Sequence, residues 1–274
     1  MQMPNMDTVA DTVRAVGDEV ILPRFRALAA HEVMEKGVGD IVTAADLESE
    51  GRLTRELPAL LPGSLVVGEE AHHHHPSLIN RFEETVPVWV VDPLDGTRNF
   101  SKGSGTFCML VALVVRHATR MAWLYDPSRG RMAMAEQGAG ASLDGVRLAS
   151  GPAPAFGKMV GQLNLTWYPA ETRAAVRAAA EQRFGELTRL YCAGHDFLEQ
   201  SQGLRHFSFY RRIWPWDHAA GVLIRREAGG TVARIDERPY RAGERVEGLL
   251  SAPDPESWQE IRRFLRRAGA RAQD

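Results

Sequence analysis

Asp92-Pro93-Leu94-Asp95-Gly96-Thr97-Arg98-Asn99-Phe100 directly follows an apolar run at residues 86–91, and the reading of the fold turns on this stretch. The run predicts a buried strand that delivers Asp92 at its end. Pro93 fixes φ and has no N–H to donate, and Gly96 permits tight backbone geometry. Together they can turn both carboxylates and the Leu94 carbonyl toward one point. A second acidic cluster, Trp216-Asp217-His218-Ala219-Ala220-Gly221, opens a predicted helix, and Gly68-Glu69-Glu70 follows a short strand predicted at 64–67. Brought together, the three segments make an oxygen-rich pocket of the kind that hard divalent cations such as Mg²⁺ prefer. Without His or Cys in the cluster, zinc is disfavoured. An isolated Asp-x-x-Asp-Gly-Thr reads as a turn with a helix cap. Glu69 behind one strand and Asp217 at a helix start are what point to a metal.

Outward from this stretch, Val9, Val13, Val16, Val20 and Ile21 recur at helical spacing, which predicts a helix from an Asp7 cap to about Leu28. Asp40 to Asp46 reads as a turn and the opening of a second helix, carried by Leu47, Leu53 and Leu57 and stopped by Pro62-Gly63. Strand-like runs at 106–115, 119–125 and 131–136 predict an antiparallel meander, and 138–148 is turn-rich. The Pro/Gly-containing stretch 149–154 divides the chain into two halves of one compact unit. Residues 1–150 would carry the metal site, and 151–274 would supply Asp217 and the substrate contacts. The second half alternates strands near 159–163, 187–191 and 206–210 with helices at 170–184, from 194 and at 217–228. Short strands near 231–235 and 248–251 and a helix from Pro255 complete it.

At 274 residues, 44% hydrophobic and 25% charged, with a formal net charge of −2, the chain can bury a substantial core and has no basic nucleic-acid footprint. Arg262, Arg263, Arg266, Arg267 and Arg271 read as one solvated helix face. Cys108 and Cys192 build neither a disulfide framework nor a metal knuckle. The first ten residues lack a basic and apolar leader pattern, and the apolar run at 107–115 is too short to span a bilayer. A cytoplasmic protein without nucleic-acid or membrane partners is expected. His72-His73-His74-His75 has loop composition and reads as a solvated loop, because consecutive histidines rarely converge on one ion.

The segment from Trp89 to Phe100 resembles the first signature of the inositol monophosphatase family, and Trp216 to Gly221 resembles its second. Gly68-Glu69-Glu70 matches the family's upstream glutamate, and Asp40-Ile41-Val42-Thr43-Ala44-Ala45-Asp46 is similar to its Asp-Leu-Val-Thr-x-x-Asp stretch. The resemblance implies a layered α-β-α-β-α sandwich of sugar-phosphatase type and lithium-sensitive, Mg²⁺-dependent hydrolysis of a small, inositol-phosphate-like ester. It also implies two or three Mg²⁺ ions per site, with Mn²⁺ as a substitute, and a homodimer. Carried over residue by residue, Glu69, Asp92, the Leu94 carbonyl and Asp95 would hold one metal, and Asp92, Asp95 and Asp217 a second. Thr97 and Asp46 would orient and help deprotonate the attacking water, and the N–H groups of Gly96 and Thr97 would receive phosphate.

Ala193, Gly194, His195 and Asp196 align with a helix start that faces substrate in relatives. His218 reads as a structural helix residue, since Mg²⁺ does not select imidazole. Arg98 stands where relatives vary. Seven residues before Asp217, where the family places a glutamate, stands Tyr210, followed by Arg211 and Arg212 that could meet a second anionic group. Loss of that carboxylate argues against inositol monophosphate itself. The competing activities are a 3′-phosphoadenosine 5′-phosphate phosphatase, a histidinol-phosphate phosphatase and a fructose-1,6-bisphosphatase. A non-catalytic binding protein on the same fold is the reading from a different class.

Overall fold

The structure, a computed structural model, describes residues 3–29, 32–37 and 40–270. Arg271, like the extreme ends of the two proposed halves, lies outside the described residues. In chain order the elements are α1 (Met6–Val16), β1 (Val33–Gly37), β2 (Asp40–Thr43), α2 (Ala44–Leu60), β3 (Leu65–Gly68), α3 (Glu69–His74), β4 (Val88–Asp95) and α4 (Thr97–Ser101). The meander follows as β5 (Cys108–Val115), β6 (Ala118–Asp126), β7 (Arg131–Glu136), β8 (Gly140–Leu143) and β9 (Val146–Arg147). Beyond it come β10 (Val160–Asn164), α5 (Ala170–Glu181), β11 (Glu186–Leu187), α6 (Ala193–Ser201) and β12 (Phe207–Arg212). The chain closes with α7 (Pro215–Glu227), β13 (Thr231–Arg234), β14 (Glu247–Ala252) and α8 (Pro255–Arg267).

Two sheets and three helical layers stack into the α-β-α-β-α sandwich. The first sheet has seven strands in the order β3-β4-β5-β6-β7-β8-β9, with β3 parallel to β4 and every later pair antiparallel. The second has five, in the order β11-β10-β12-β14-β13. Alternation along β4 sorts its side chains onto two faces. Trp89 and Val91 join Val9, Val13, Leu53 and Leu57 of α1 and α2 in one core, whereas Val88 and Val90 meet Phe197, Ala219 and Val222 of α6 and α7 in another. That second core also holds Tyr210 and Leu249 of the five-stranded sheet, so α6 and α7 are the shared middle layer. Phe207, Phe209 and Leu250 turn the opposite way, toward Val176 of α5 and Trp258, Ile261 and Leu265 of α8. Strand membership therefore divides near 148–159, while burial crosses that divide.

Several local expectations change. The N-cap of α1 is Asn5, whose Oδ1 accepts the Thr8 N–H at 3.0 Å, and Asp7 lies in the first turn. Regular helix stops at Val16 and continues as a π-helical turn at Gly17–Ile21 and a 3₁₀ turn at Leu22–Arg24, where Pro23 withdraws a donor. A Cβ on Gly17 would sit 2.7 Å from the Tyr125 ring, so the chain is drawn close to the sheet there. Residues 40–43 form a strand, not a turn, and Leu47 is 40% exposed, off the core face. The 138–148 stretch pairs as β8 and β9. In the second half, the predicted 187–191 strand shrinks to two paired residues. His72, His73 and His74 belong to α3 and His75 caps it; His72 packs on Trp216 with ring centroids 4.9 Å apart, while the other three are exposed. Among the described residues, no helix is long and apolar enough to cross a membrane.

Candidate metal centre and substrate cleft

The acidic residues converge because β4 breaks its register at the right place. Asp92 pairs with Leu110 and Asp95 with Cys108, so one extra residue bulges out between them. Bulges of this kind re-aim side chains, and Pro93 fits one because it has no ladder donor to lose. Asp92 is buried, and its Oδ1 accepts the Leu94 N–H at 3.0 Å. Gly96 then turns the chain at φ 89°, opening α4. A Cβ there would lie 2.8 Å from the Thr106 carbonyl and the left-handed conformation disfavours any other residue. Asn99 binds this loop to the second half, donating to the carbonyls of Thr106 and Leu190 at 2.8 Å each.

Glu69 and Glu70 open α3 instead of ending a strand, so helical rotation, not strand alternation, separates them. Glu69 offers a carboxylate oxygen that, with one each from Asp92 and Asp217, falls in a group whose members all lie within 4.8 Å of one another. Glu70 is buried beneath, and Lys36 bridges the pair at 2.9 Å to Glu69 and 2.7 Å to Glu70. Asp217 arrives in the first turn of α7, just after Pro215 at the helix start. Asp95 faces the same cleft but its Oδ2 is already engaged, accepting the Gly194 N–H at 2.6 Å and lying 3.2 Å from the Cys192 Sγ. Leu94 is fully buried, with its carbonyl accepting from the Thr97 hydroxyl at 2.8 Å.

Asp46 is held from three sides. Its Oδ2 accepts from the Thr43 N–H (2.8 Å) and hydroxyl (2.5 Å), a capping box that starts α2, while Oδ1 accepts from the Thr97 hydroxyl at 3.0 Å. Burial pushes Asp46 up to about 6, against the pull of the Thr43 and Thr97 hydrogen bonds. Burial likewise raises Asp95 to about 6, opposed by the Gly194 N–H. Asp92 is raised well above the carboxylate range by burial and then by Glu69, Asp95 and Asp217. Anions crowded this way repel one another, and the donor set is all oxygen, so the residues fit a hard divalent cation.

The cleft beside these carboxylates encloses about 620 Å³ and is lined by Asp95, Gly96, Thr97, Ala193, Tyr210 and Asp217. Of the expected substrate residues, Ala193 and Tyr210 line it. Gly194 spends its N–H on Asp95, and an added Cβ would collide with Cys108. The His195 and Asp196 side chains turn inward. His195 Nε2 lies 3.1 Å from the Phe107 carbonyl, and Asp196 accepts from Arg205 (3.0 Å), Gln200 (2.8 Å) and Tyr210 (2.9 Å). Both sit on the buried side of α6. Tyr210 is buried as well, its hydroxyl donating to Asp196 and accepting from Gln162 at 2.6 Å. Arg211 leaves the cleft to pair with Glu247 at 3.0 Å, because alternation along β12 gives that face to Arg212. Arg212 sits between Trp167 and Trp214, its guanidinium 4.8 and 4.3 Å from the ring centroids. Arg98 also lines the cleft. His218 is kept neutral, burial drawing it down to about 4.

Sequence reasoning missed four contributors. Glu50 caps α3 by accepting the N–H groups of Glu70 (2.8 Å) and Ala71 (2.7 Å), which fixes where Glu69 emerges. Its spacing, four residues after Asp46 and on the same helix face as Leu53 and Leu57, was the available signal. Lys36 comes from the β1 strand, where no motif marks it. Cys108 and Cys192 lie 3.8 Å apart, Sγ to Sγ, against the Asp95 carboxylate.

Comparison with known proteins agrees with this geometry. The sequence profile of the inositol monophosphatase family matches residues 3–266. Nus factor SuhB of Salmonella typhimurium is 30% identical over 237 residues, covering 84% of this chain and 85% of the relative. An IMPase of Thermotoga maritima superposes with a TM-score of 0.78 at 24% identity, over 96% of this chain and 100% of that one. The extragenic suppressor protein suhB of Bartonella henselae superposes with a TM-score of 0.81 at 22% identity, over 95% and 98%. Fold and acidic cluster thus define a class of five-layer proteins with a carboxylate centre. The chain belongs to the inositol monophosphatase family.

Proposed function

We propose that this protein is a Mg²⁺-dependent phosphatase of small phosphate monoesters, with water as the nucleophile. The observation that carries this reading is the convergence of Glu69, Asp92 and Asp217 within 4.8 Å beside the linked Thr97 and Asp46. Glu69, Asp92, Asp95 and Asp217, with the Leu94 carbonyl, would hold the metal, and Mn²⁺ fits the same oxygens. When bound, the cation supplies an acidified water and neutralises phosphate charge. The Thr97 hydroxyl stands at the cleft wall with its proton shared between Asp46 and the Leu94 carbonyl, so its lone pairs can accept from an incoming water. Asp46, at about 6, is ionised at neutral pH and basic enough to serve as the proton acceptor behind Thr97. α4 begins at Thr97, so its first N–H groups lack helical acceptors and could receive an anion. Positioning and charge neutralisation dominate phosphoryl transfer, and no covalent nucleophile is needed.

Homodimerisation, a cytoplasmic location and lithium inhibition belong to the same proposal and rest on the family resemblance. A second reading, a non-catalytic binding role, is favoured by one observation: the curated relative carries the name Nus factor. Phosphate release from inositol, nucleotide, histidinol and sugar phosphates, with Mg²⁺ and with EDTA, separates the two. Metal-dependent turnover of at least one ester is expected; none across the panel would leave the binding role standing.

A further inference from the structure

We infer that the substrate carries a second phosphate, received by Arg173 and Arg189 in a side arm of the cleft. This rests on the phosphatase reading above and adds the class of substrate. The cleft continues past the acidic residues. Through Gln162, Thr166, Arg189 and Tyr191 it runs into a second hollow of about 430 Å³ against α5. Along that path the carboxylates drop out of the lining and arginines remain. Asp95 and Asp217 face the main cleft, whereas Arg173, Arg177 and Arg189 line the arm and, among the described residues, no Asp or Glu does.

Among the described residues, neither Arg173 nor Arg189 pairs with a carboxylate. Arg177 reaches Glu181 at 3.4 Å on the helix surface. Arg173 and Arg189 both lean on Thr166, Arg173 donating to its carbonyl at 3.1 Å and Arg189 to its hydroxyl at 3.2 Å. Two neutral acceptors on one residue thus bring two guanidinium groups to one spot with their charge uncompensated. Each guanidinium has five donors, so most stay available for an anion, and a fork of this shape suits phosphate oxygens. Burial lowers the Arg189 pKa, and Arg98 and Arg177 lower it further against the pull of Tyr191 and Tyr210, as expected where cations gather. The twelve-residue α5 begins at Ala170, in the same wall, with the favourable end of its dipole there. Between the two charged ends, Trp167 (57% exposed) and Tyr191 (53% exposed) offer flat faces to a sugar or base. A dianion meets two guanidinium groups, which is why phosphate is chosen.

The test compares kcat/KM for fructose 1,6-bisphosphate and adenosine 3′,5′-bisphosphate with that for their monophosphates, in wild type, Arg173→Gln and Arg189→Gln. Wild type should favour the bisphosphates, and each variant should cut that preference by about tenfold or more, through KM instead of kcat, as loss of a charge-assisted contact does. Equal use of mono- and bisphosphates by wild type, or an unchanged ratio in both variants, overturns the inference. Calorimetric titration of adenosine 3′,5′-bisphosphate with Ca²⁺ present separates the two levels. If no ester is hydrolysed yet the bisphosphate binds wild type and not Arg173→Gln, the phosphatase reading falls and the side arm stands. If esters are hydrolysed without preference and Arg173→Gln binds like wild type, the side arm alone falls.

Discussion

The two ends of the cleft are built by opposite means. At the acidic end the groups are buried or half-buried and fixed by backbone: a bulge aims Asp92, helix starts present Glu69 and Asp217, and the Gly194 N–H holds Asp95. At the far end the groups are exposed side chains on loops and helix surface, steadied by rings and a threonine. On the proposed reading, chemistry that must not vary would sit on strand and helix termini, and selection among esters would fall to side chains that can change without disturbing a core.

The largest test of this contrast strikes the acidic end. Asp95→Asn and Asp217→Asn should each lower phosphate release by roughly a hundredfold or more, while melting of EDTA-treated protein holds or rises because repulsion is relieved. Near-normal kcat in either variant at saturating Mg²⁺ would remove that residue from the ligand set. Gly68→Ala comes next. A methyl at Gly68 overlaps the Glu50 carboxylate that caps α3, so a loss of about 1–3 kcal/mol and weaker Mg²⁺ binding are expected, measured by denaturant melts and calorimetry.

A pH series sharpens the same point. Asp46 and Asp95 are raised in the folded protein to about 6 from ordinary carboxylate values. The folded state therefore binds more protons than the unfolded one between about pH 4 and 6, and their contribution to metal-free stability falls as pH rises through that window. Of the two, Asp95 is the proposed ligand, and Mg²⁺ bound there would displace its proton. The gain in Tm from Mg²⁺ should be small at pH 5 and grow by pH 8; a gain independent of pH would mean that Asp95 does not meet the metal.

Tyr210 probes the border between the two ends. Tyr210→Phe removes bonds to Asp196 and Gln162 and should cost about 1–3 kcal/mol. Tyr210→Glu places a second carboxylate against Asp196, so it should destabilise the fold further and leave inositol 1-phosphate a poor substrate. A stable Tyr210→Glu protein with improved turnover of that ester would show that the phenol faces the ligand. Arg212→Ala should change least, raising KM a few-fold with kcat nearly constant, since the side chain is exposed and held by rings.

The acidic end was largely legible in the sequence because each of its separate segments carries its own local pattern. Asp92 to Gly96 carries its own bulge and turn, and β4 to β7 announced themselves by apolar runs. The far end was not legible. Trp167, Arg173, Arg189 and Arg212 come from separate segments, and only the stacking of β10, β11 and β12 brings them together. Between Arg211 and Arg212 sequence alone does not choose, because it does not say which face of an unplaced strand looks into the cleft. His195 and Asp196 were misplaced for a related reason: alignment locates the start of α6, whereas packing decides which way its side chains turn. The histidine tract reads as loop by composition, yet Glu50 caps the segment and makes it a helix.

The hydrogen bond from Gly194 to Asp95 spans 99 residues, and that from Asn99 to Leu190 spans 91. Contacts of such separation form only after the chain between them has been gathered in, and the entropy of closing so long a loop delays them. Assembly of the carboxylate centre is thus expected to come late in folding. Until both sheets have condensed on α6 and α7, the carboxylates stay hydrated and separate, with ordinary acidity and little hold on a cation. On the proposed reading, ion capture would report completion of the fold, and a chain arrested halfway would be left without it.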